Sequence, residues 1–210
     1  NAGFSIVKWE GTGTQTEISH GLSAAPEMII SKRLDSTNNW SVYHKDLSLS
    51  HTTYPNWLYL NLTSSEQDSV SSANHPYYAA PSSTVIYQNT GTSESTNVSG
   101  GEYISYCFHS VSGFSKFGSY TGNGSSNTIT TGFQPDFVLI KNTGRSGTTW
   151  NIQDSVRGTT KYLMAQSSDS EYTDSGINLT FTSTGFTLNN SYQGWNENGD
   201  SYIYAAFKIN

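Results

Sequence analysis

The chain has 210 residues, 34% of them hydrophobic, 13% aromatic and only 12% charged, with a formal net charge of −6. Ten lysines and arginines spread along it form no stripe able to neutralise a phosphate backbone, which argues against a nucleic-acid partner. Fourteen Tyr, 9 Phe and 5 Trp supply the bulk for a folded core and set the chain apart from disordered polypeptides.

Short β-rich runs alternate with turn residues, and no helical apolar period stands out. In chain order they predict strands at residues 4–9, 14–19, 27–33, 40–43, 58–62, 84–87 and 103–109, then at 115–120, 127–131, 137–142, 150–153, 162–165, 178–182, 186–188 and 202–209. Thr12-Gly13 and Asn123-Gly124 read as tight hairpin turns, because Asn and Gly tolerate the positive φ such turns demand. The runs "EMIIS" and "DFVLI" are nearly continuous in apolar character, as expected of strands covered on both faces. Cys107, in "YISYCFH", is the only cysteine. It allows no intrachain disulfide and no cysteine-based zinc cluster, and it reads as a buried, inert thiol.

The element list repeats. Gly3-Phe4-Ser5 recurs 110 residues on as Gly113-Phe114-Ser115, "WEGTG" parallels "YTGNG", "ISHGLSAAPEMIISK" parallels "ITTGFQPDFVLIK", and Trp40 aligns with Trp150. "STVIYQN" resembles "TGFTLNN", and "EYISYCFHS" resembles "SYIYAAFKI". A unit this long is a duplicated domain and not a solenoid repeat. The expected architecture is all-β: two tandem, closely packed β-sandwich domains of jelly-roll or lectin-like kind, residues 1–111 and 112–210. No apolar run approaches the ~18 residues of a membrane span, so membrane insertion is not expected. Asn1 in place of a start methionine suggests processing or excision from a longer polypeptide.

The ordered set "GFSIVKWEGTGT", "ISHGLSAAPEMIISK", "WSVYH", "YISYCF", "GFSKFGSYTGNGS", "TGFQPDFVLIK" and "YIYAAF" resembles a duplicated β-domain of unknown function. That domain occurs in tail-fibre-like and other structural proteins of tailed, often marine, phages and prophages. The resemblance spans essentially the whole chain and implies a virion location, in a tail or other external structure, and contact with a host surface. It carries over no catalytic residues.

Candidate chemistry is sparse. His44, Asp46 and His51 in "YHKDLSLSH" could frame a metal or acid/base site, but "HKD" reads better as the start of a solvated loop. Asp46 and Asp154 each follow a Trp-containing strand and read as turn caps. Asp169, Glu171 and Asp174 in "SSDSEYTDSG" offer oxygen ligands without the calcium-loop pattern. "GTGT" and "GNGS" lack the spacing of phosphate-binding loops. The N-glycosylation pattern falls at Asn61, Asn97, Asn123 and Asn178, as chance allows in so Asn/Ser/Thr-rich a chain. No cofactor, metal site or catalytic residue is therefore expected.

What remains is a set of aromatic residues in loops, Tyr54, Trp57, Tyr77, Tyr78, Tyr192 and Trp195, beside Asn and Gln side chains that suit a sugar. Trp40 and Trp150, repeated in both copies, read as core. The expectation is a noncatalytic virion module that binds a host-surface glycan or other receptor. Two further readings stand beside it: a structural spacer, decoration or assembly module contacting other virion proteins or forming a homo-oligomer, and a polysaccharide depolymerase.

Overall fold

The computed structural model describes residues 3–50, 54–68, 75–90 and 96–209, and among these there is no helix. The chain divides into two compact units, one of Asn1–Leu60 with Glu66–His109 and one of Asn61–Ser65 with Ser110–Asn210. Every strand pairing is antiparallel, and each unit stacks a larger sheet against a smaller one in the manner of a β-sandwich.

In the first unit the strands are β1 (Phe4–Glu10), β2 (Thr16–Ser19), β3 (Met28–Arg33), β4 (Ser41–His44), β5 (Leu49–Ser50), β6 (Tyr54–Pro55), β7 (Leu58–Tyr59), β8 (Val85–Gln88) and β9 (Glu102–Phe108). The larger sheet runs β1-β9-β3-β4-β7, with β2-β8 and β5-β6 as separate pairs. Alternation along β1, β3 and β9 sends Val7, Ile29 and Cys107 to one face, where they pack with Leu22, Tyr43, Tyr77 and Ile86. Cys107 is fully buried, and burial pushes its thiol up to about 12. It is inert for that reason.

The second unit contains β10 (Ser115–Thr121), β11 (Ser126–Thr130), β12 (Phe137–Asn142), β13 (Trp150–Asp154), β14 (Lys161–Met164), β15 (Tyr172–Thr173), β16 (Leu179–Thr182), β17 (Gly185–Asn189) and β18 (Ser201–Phe207). Its sheets run β10-β18-β12-β13-β14-β15 and β11-β17-β16. The order β10-β18-β12-β13-β14 repeats β1-β9-β3-β4-β7, and the pair β11-β17 repeats β2-β8. Val138, Ile140, Tyr202 and Tyr204 from the large sheet meet Ile129, Leu179, Phe186 and Leu188 from the small one. Trp150 is fully enclosed, whereas Trp40 precedes β4 and is only half-buried.

One local expectation fails. The turns at Thr12-Gly13 and Asn123-Gly124 do not close hairpins, because β1 pairs with β9 while β2 pairs with β8, and β10 pairs with β18 while β11 pairs with β17. Gly124 has the positive φ the sequence suggested, 68°, but the turn carries the chain from one sheet to the other. Its inward polar groups therefore need partners that a hairpin ladder would have supplied.

A buried asparagine provides them in each unit. Asn196 Nδ2 donates to Ser125 O at 2.7 Å and to Asn190 O at 2.8 Å, while its Oδ1 accepts from Asn123 N and Asn127 Nδ2, both at 3.0 Å. Asn97 repeats the pattern: its Nδ2 donates to Thr14 O and Asn89 O, and its Oδ1 accepts from Thr12 N at 2.8 Å. Both side chains are fully buried. Asn97 therefore has no room for the glycan its sequence pattern would invite. The same crossing brings backbones together, and a Cβ on Gly122 would lie 2.1 Å from Glu197 O.

Replacing Asn196 by Ala strands these groups and is expected to cost the second unit about 3 kcal/mol, since each unsatisfied buried partner costs about 1 to 3 kcal/mol. The urea midpoint of Asn196→Ala checks this. Gly122→Ala should also destabilise that unit, through the overlap with Glu197 O.

Candidate functional site

The six aromatic residues singled out in the sequence separate by burial. Trp57, Tyr77 and Trp195 are 5%, 1% and 0% exposed. Trp57 packs edge-on to His75 with ring centroids 5.1 Å apart, Tyr77 packs edge-on to Tyr43 at 5.8 Å, and Trp195 packs edge-on to Tyr162 at 5.6 Å. The fold places these three in the core, where they present no ring face to solvent. Tyr54 and Tyr78 are half-buried, against His75 and Tyr87 respectively. Tyr192 is 49% exposed.

Tyr192 sits in the loop 190–196 of the second unit, and that loop is held from beneath by side chains of the sheet. Tyr192 N donates to Asn190 Oδ1 at 3.1 Å, and Tyr192 O accepts from Trp195 N and Asn196 N at 2.9 and 2.8 Å. Gln193 O accepts from Asn142 Nδ2 at 2.8 Å and from the Tyr202 hydroxyl at 2.9 Å. Gly194 O accepts from Asn151 Nδ2 at 2.9 Å, and Trp195 O accepts from the Tyr120 hydroxyl. The donors come from β10, β12, β13 and β18, so the loop's shape is dictated by the sheet. Burial pushes the Tyr202 hydroxyl up to about 12 and keeps it a donor throughout the ordinary pH range.

Residues 143–149 form the facing wall and are tied down by the same asparagines. Asn142 Oδ1 accepts from Gly144 N and Arg145 N, both at 3.0 Å, and Asn151 Oδ1 accepts from Thr149 Oγ1 at 2.6 Å. Lys141, fully enclosed, donates from Nζ to Asn142 O at 2.8 Å and to Thr148 Oγ1 at 2.9 Å, and Thr148 Oγ1 donates onward to Arg145 O. Burial holds the Lys141 amine down at about 8. Arg145 forms a two-point ion pair with Asp200 at 2.9 and 3.1 Å.

Between the two walls lies a small cavity of about 40 Å³, lined by Gly147, Thr148, Thr149, Met164, Tyr192, Gln193 and Gly194. Its lining carries no ionised side chain. Tyr162 and Tyr172 stack at 5.3 Å, and the Tyr162 hydroxyl is raised by burial first and then by Tyr192, Asp174 and Tyr172. Tyr172, 36% exposed, donates its hydroxyl to Asp169 Oδ2 at 3.0 Å. Sequence reasoning missed Gln193, Met164, Thr149 and Tyr172 as site residues. A usable signal was present in Asn142 and Asn151, amides at strand positions that must be buried and therefore need partners in nearby loops.

The other candidate chemistry resolves into local structure. His44 Nδ1 accepts from Asp46 N at 3.2 Å, Asp46 pairs with Lys45, and His51 lies outside the described residues. Asp154 caps Val156 N and Arg157 N and pairs with the Arg157 guanidinium. In the acidic stretch, Glu171 pairs with Lys161 at 3.0 Å and Asp174 accepts from Gly176 N at 2.8 Å. Among the described residues no group of three or more His, Cys, Asp or Glu side chains is arranged to hold a metal ion.

A family model described as a domain of unknown function matches residues 1–210. No curated protein and no solved structure matches the chain.

The buried lysine gives the site's frame a pH dependence. Its folded value of about 8 lies below the ordinary 10.5, so between these values the unfolded chain binds more protons and stability rises with pH. Below pH 8 the amine is charged in both states and the burial cost is felt in full. Urea midpoints of the second unit should climb from about pH 8 toward pH 10, above which the raised Tyr202 phenol opposes the trend. In Lys141→Met the climb should be absent.

Proposed function

Since the chain belongs to the DUF7483 family over residues 1–210, a membership that carries no activity with it, we propose that it is a noncatalytic carbohydrate-binding module of a phage virion. In this reading it sits on a tail fibre or similar appendage and meets a host-surface glycan through the Tyr192 loop. The observation that supports it is the pairing of a rigid loop with free side chains at its apex. The carbonyls of Tyr192, Gln193, Gly194 and Trp195 are all engaged, while the Tyr192 ring and the Gln193 carboxamide face solvent. A sugar ring offers an apolar face to an aromatic ring and hydroxyls to an amide, and a preformed site loses little entropy on binding. The virion setting draws on the sequence resemblance. The noncatalytic part draws on the cavity lining, which carries no ionised side chain, and on Asp200, held by Arg145 and Asn142.

A second reading, an assembly module that contacts other virion proteins or another copy of the chain, is favoured by one feature of the first unit. Phe4 and Ile6, on the edge strand β1, are 41% and 57% exposed, and Phe4 stacks on Phe108 at 4.8 Å. Exposed apolar side chains on an unpaired edge suit a protein partner.

Retention on a glycan array or on host envelopes tests the first reading. Tyr192→Ala should abolish retention and shift stability by less than about 0.5 kcal/mol, because its side chain is exposed. A wild-type chain that binds neither array nor envelope overturns it. For the second reading, light scattering should show a defined oligomer that Ile6→Lys dissociates, and a monomer at all concentrations counts against self-assembly.

A further inference from the structure

The cavity beside Tyr192 is too small for a sugar ring. At about 40 Å³ it holds little more than one or two water-sized groups, given that a water's share of liquid volume is about 30 Å³. A glycan bound at the Tyr192 loop would therefore lay its ring outside, over the Tyr192 face, and send a single substituent in.

The lining chooses among substituents. Met164 forms an apolar wall that suits a methyl group, and the Thr148 and Thr149 hydroxyls beside it already donate to Arg145 O and Asn151 Oδ1. No carboxylate lines the cavity, so a protonated amine would lose water without gaining a counter-charge. A carboxylate substituent would fare no better, because the nearest buried cation, Lys141, is turned to Asn142 O and Thr148 Oγ1, and Arg145 is committed to Asp200. A neutral planar group with one donor, one acceptor and a terminal methyl matches all three constraints. The exposed Gln193 carboxamide offers an acceptor and a donor beside the cavity, the pair that an amide substituent needs.

Resting on the glycan-binding reading, we propose that the ligand is an N-acetylated amino sugar, its ring stacked on Tyr192 and its acetamido methyl seated in the cavity against Met164, with the amide at the rim against Gln193. Asn142 and Asn151 each bind both walls and so set the spacing between them.

Calorimetric titration of the full chain with N-acetylglucosamine and N-acetylgalactosamine, glucose and galactose, and glucosamine and galactosamine decides the matter. The acetylated sugars should bind at least about tenfold more tightly than the matching hexose or free amine, the discrimination expected for one enclosed methyl-bearing group. Gln193→Ala, at an exposed side chain, should keep the fold and reduce that preference to about twofold or less. Equal affinity for acetylated and unacetylated sugars, with Tyr192→Ala still abolishing binding, overturns the acetamido assignment and leaves the glycan reading standing. Acetyl-selective binding that is indifferent to Gln193→Ala and to Met164→Glu overturns the placement in this cavity. No binding to any of the six sugars, together with an array that retains nothing, overturns both.

Discussion

A chain that leaves one sheet and enters the other must abandon its ladder of backbone hydrogen bonds at the crossing, and the groups it exposes there face a dry core. Each unit meets this demand with one enclosed carboxamide, Asn97 in the first and Asn196 in the second. A carboxamide is well matched to the task because it carries two donors and a two-lone-pair acceptor on one rigid plane. The dependence spreads outward from there. Glu197 N, beside Asn196, donates to the Tyr202 hydroxyl, and that hydroxyl donates to Gln193 O in the candidate binding loop. Tyr202 also stacks on Tyr120, whose hydroxyl holds Trp195 O. The interaction that lets the sheets separate thus also fixes the loop that presents Tyr192.

Much of the architecture was legible because it rests on alternation. Runs such as "FSIVKWE" and "EYISYCF" carry their strand character in every second residue, and the expected strands lie within a few residues of β1 and β9. The two-residue strands β5, β6 and β15 were not legible, since two residues cannot display a period. The hairpin reading of Asn123-Gly124 misled for a different reason. Turn chemistry is local and was read correctly, whereas the choice of pairing partner is made by residues about 60 positions away, β17 for β11. Burial within the candidate site was illegible for the same reason. Tyr192 and Trp195 stand three residues apart in "SYQGWN", equally aromatic, and only the fold decides that one is open and the other sealed.

The two copies share a frame and differ in its use. Lys32 and Lys141 hold parallel positions, and each donates from Nζ to the carbonyl of the next residue at 2.8 Å. That next residue is Asn142 in the second unit and Arg33 in the first. Asn142 reaches across to the Tyr192 loop, whereas Arg33 turns to Asp35 at 2.7 Å. Asn151, whose counterpart after Trp40 is Ser41, adds a second tie to the same loops, so two amides stitch together in the second unit what the first leaves apart. Duplication supplies two scaffolds, and the candidate site lies in the copy that carries amides at these positions.

In both units the first strand lies beside the last, with Phe4 opposite Phe108 and Ser115 opposite Phe207. The start of the first strand and the end of the last thus lie side by side in each unit. Under tension along the polypeptide, the bonds joining β1 to β9 or β10 to β18 would be loaded one after another from that shared end, like a zip, and not all at once as in a sheared pair. Mechanical extension would then begin by peeling the first strand from the last, at the opposite edge of the sheet from β14 and β15, while the Tyr192 loop stayed tied to β12 and β13 until the peeling reached the Tyr120–Tyr202 stack.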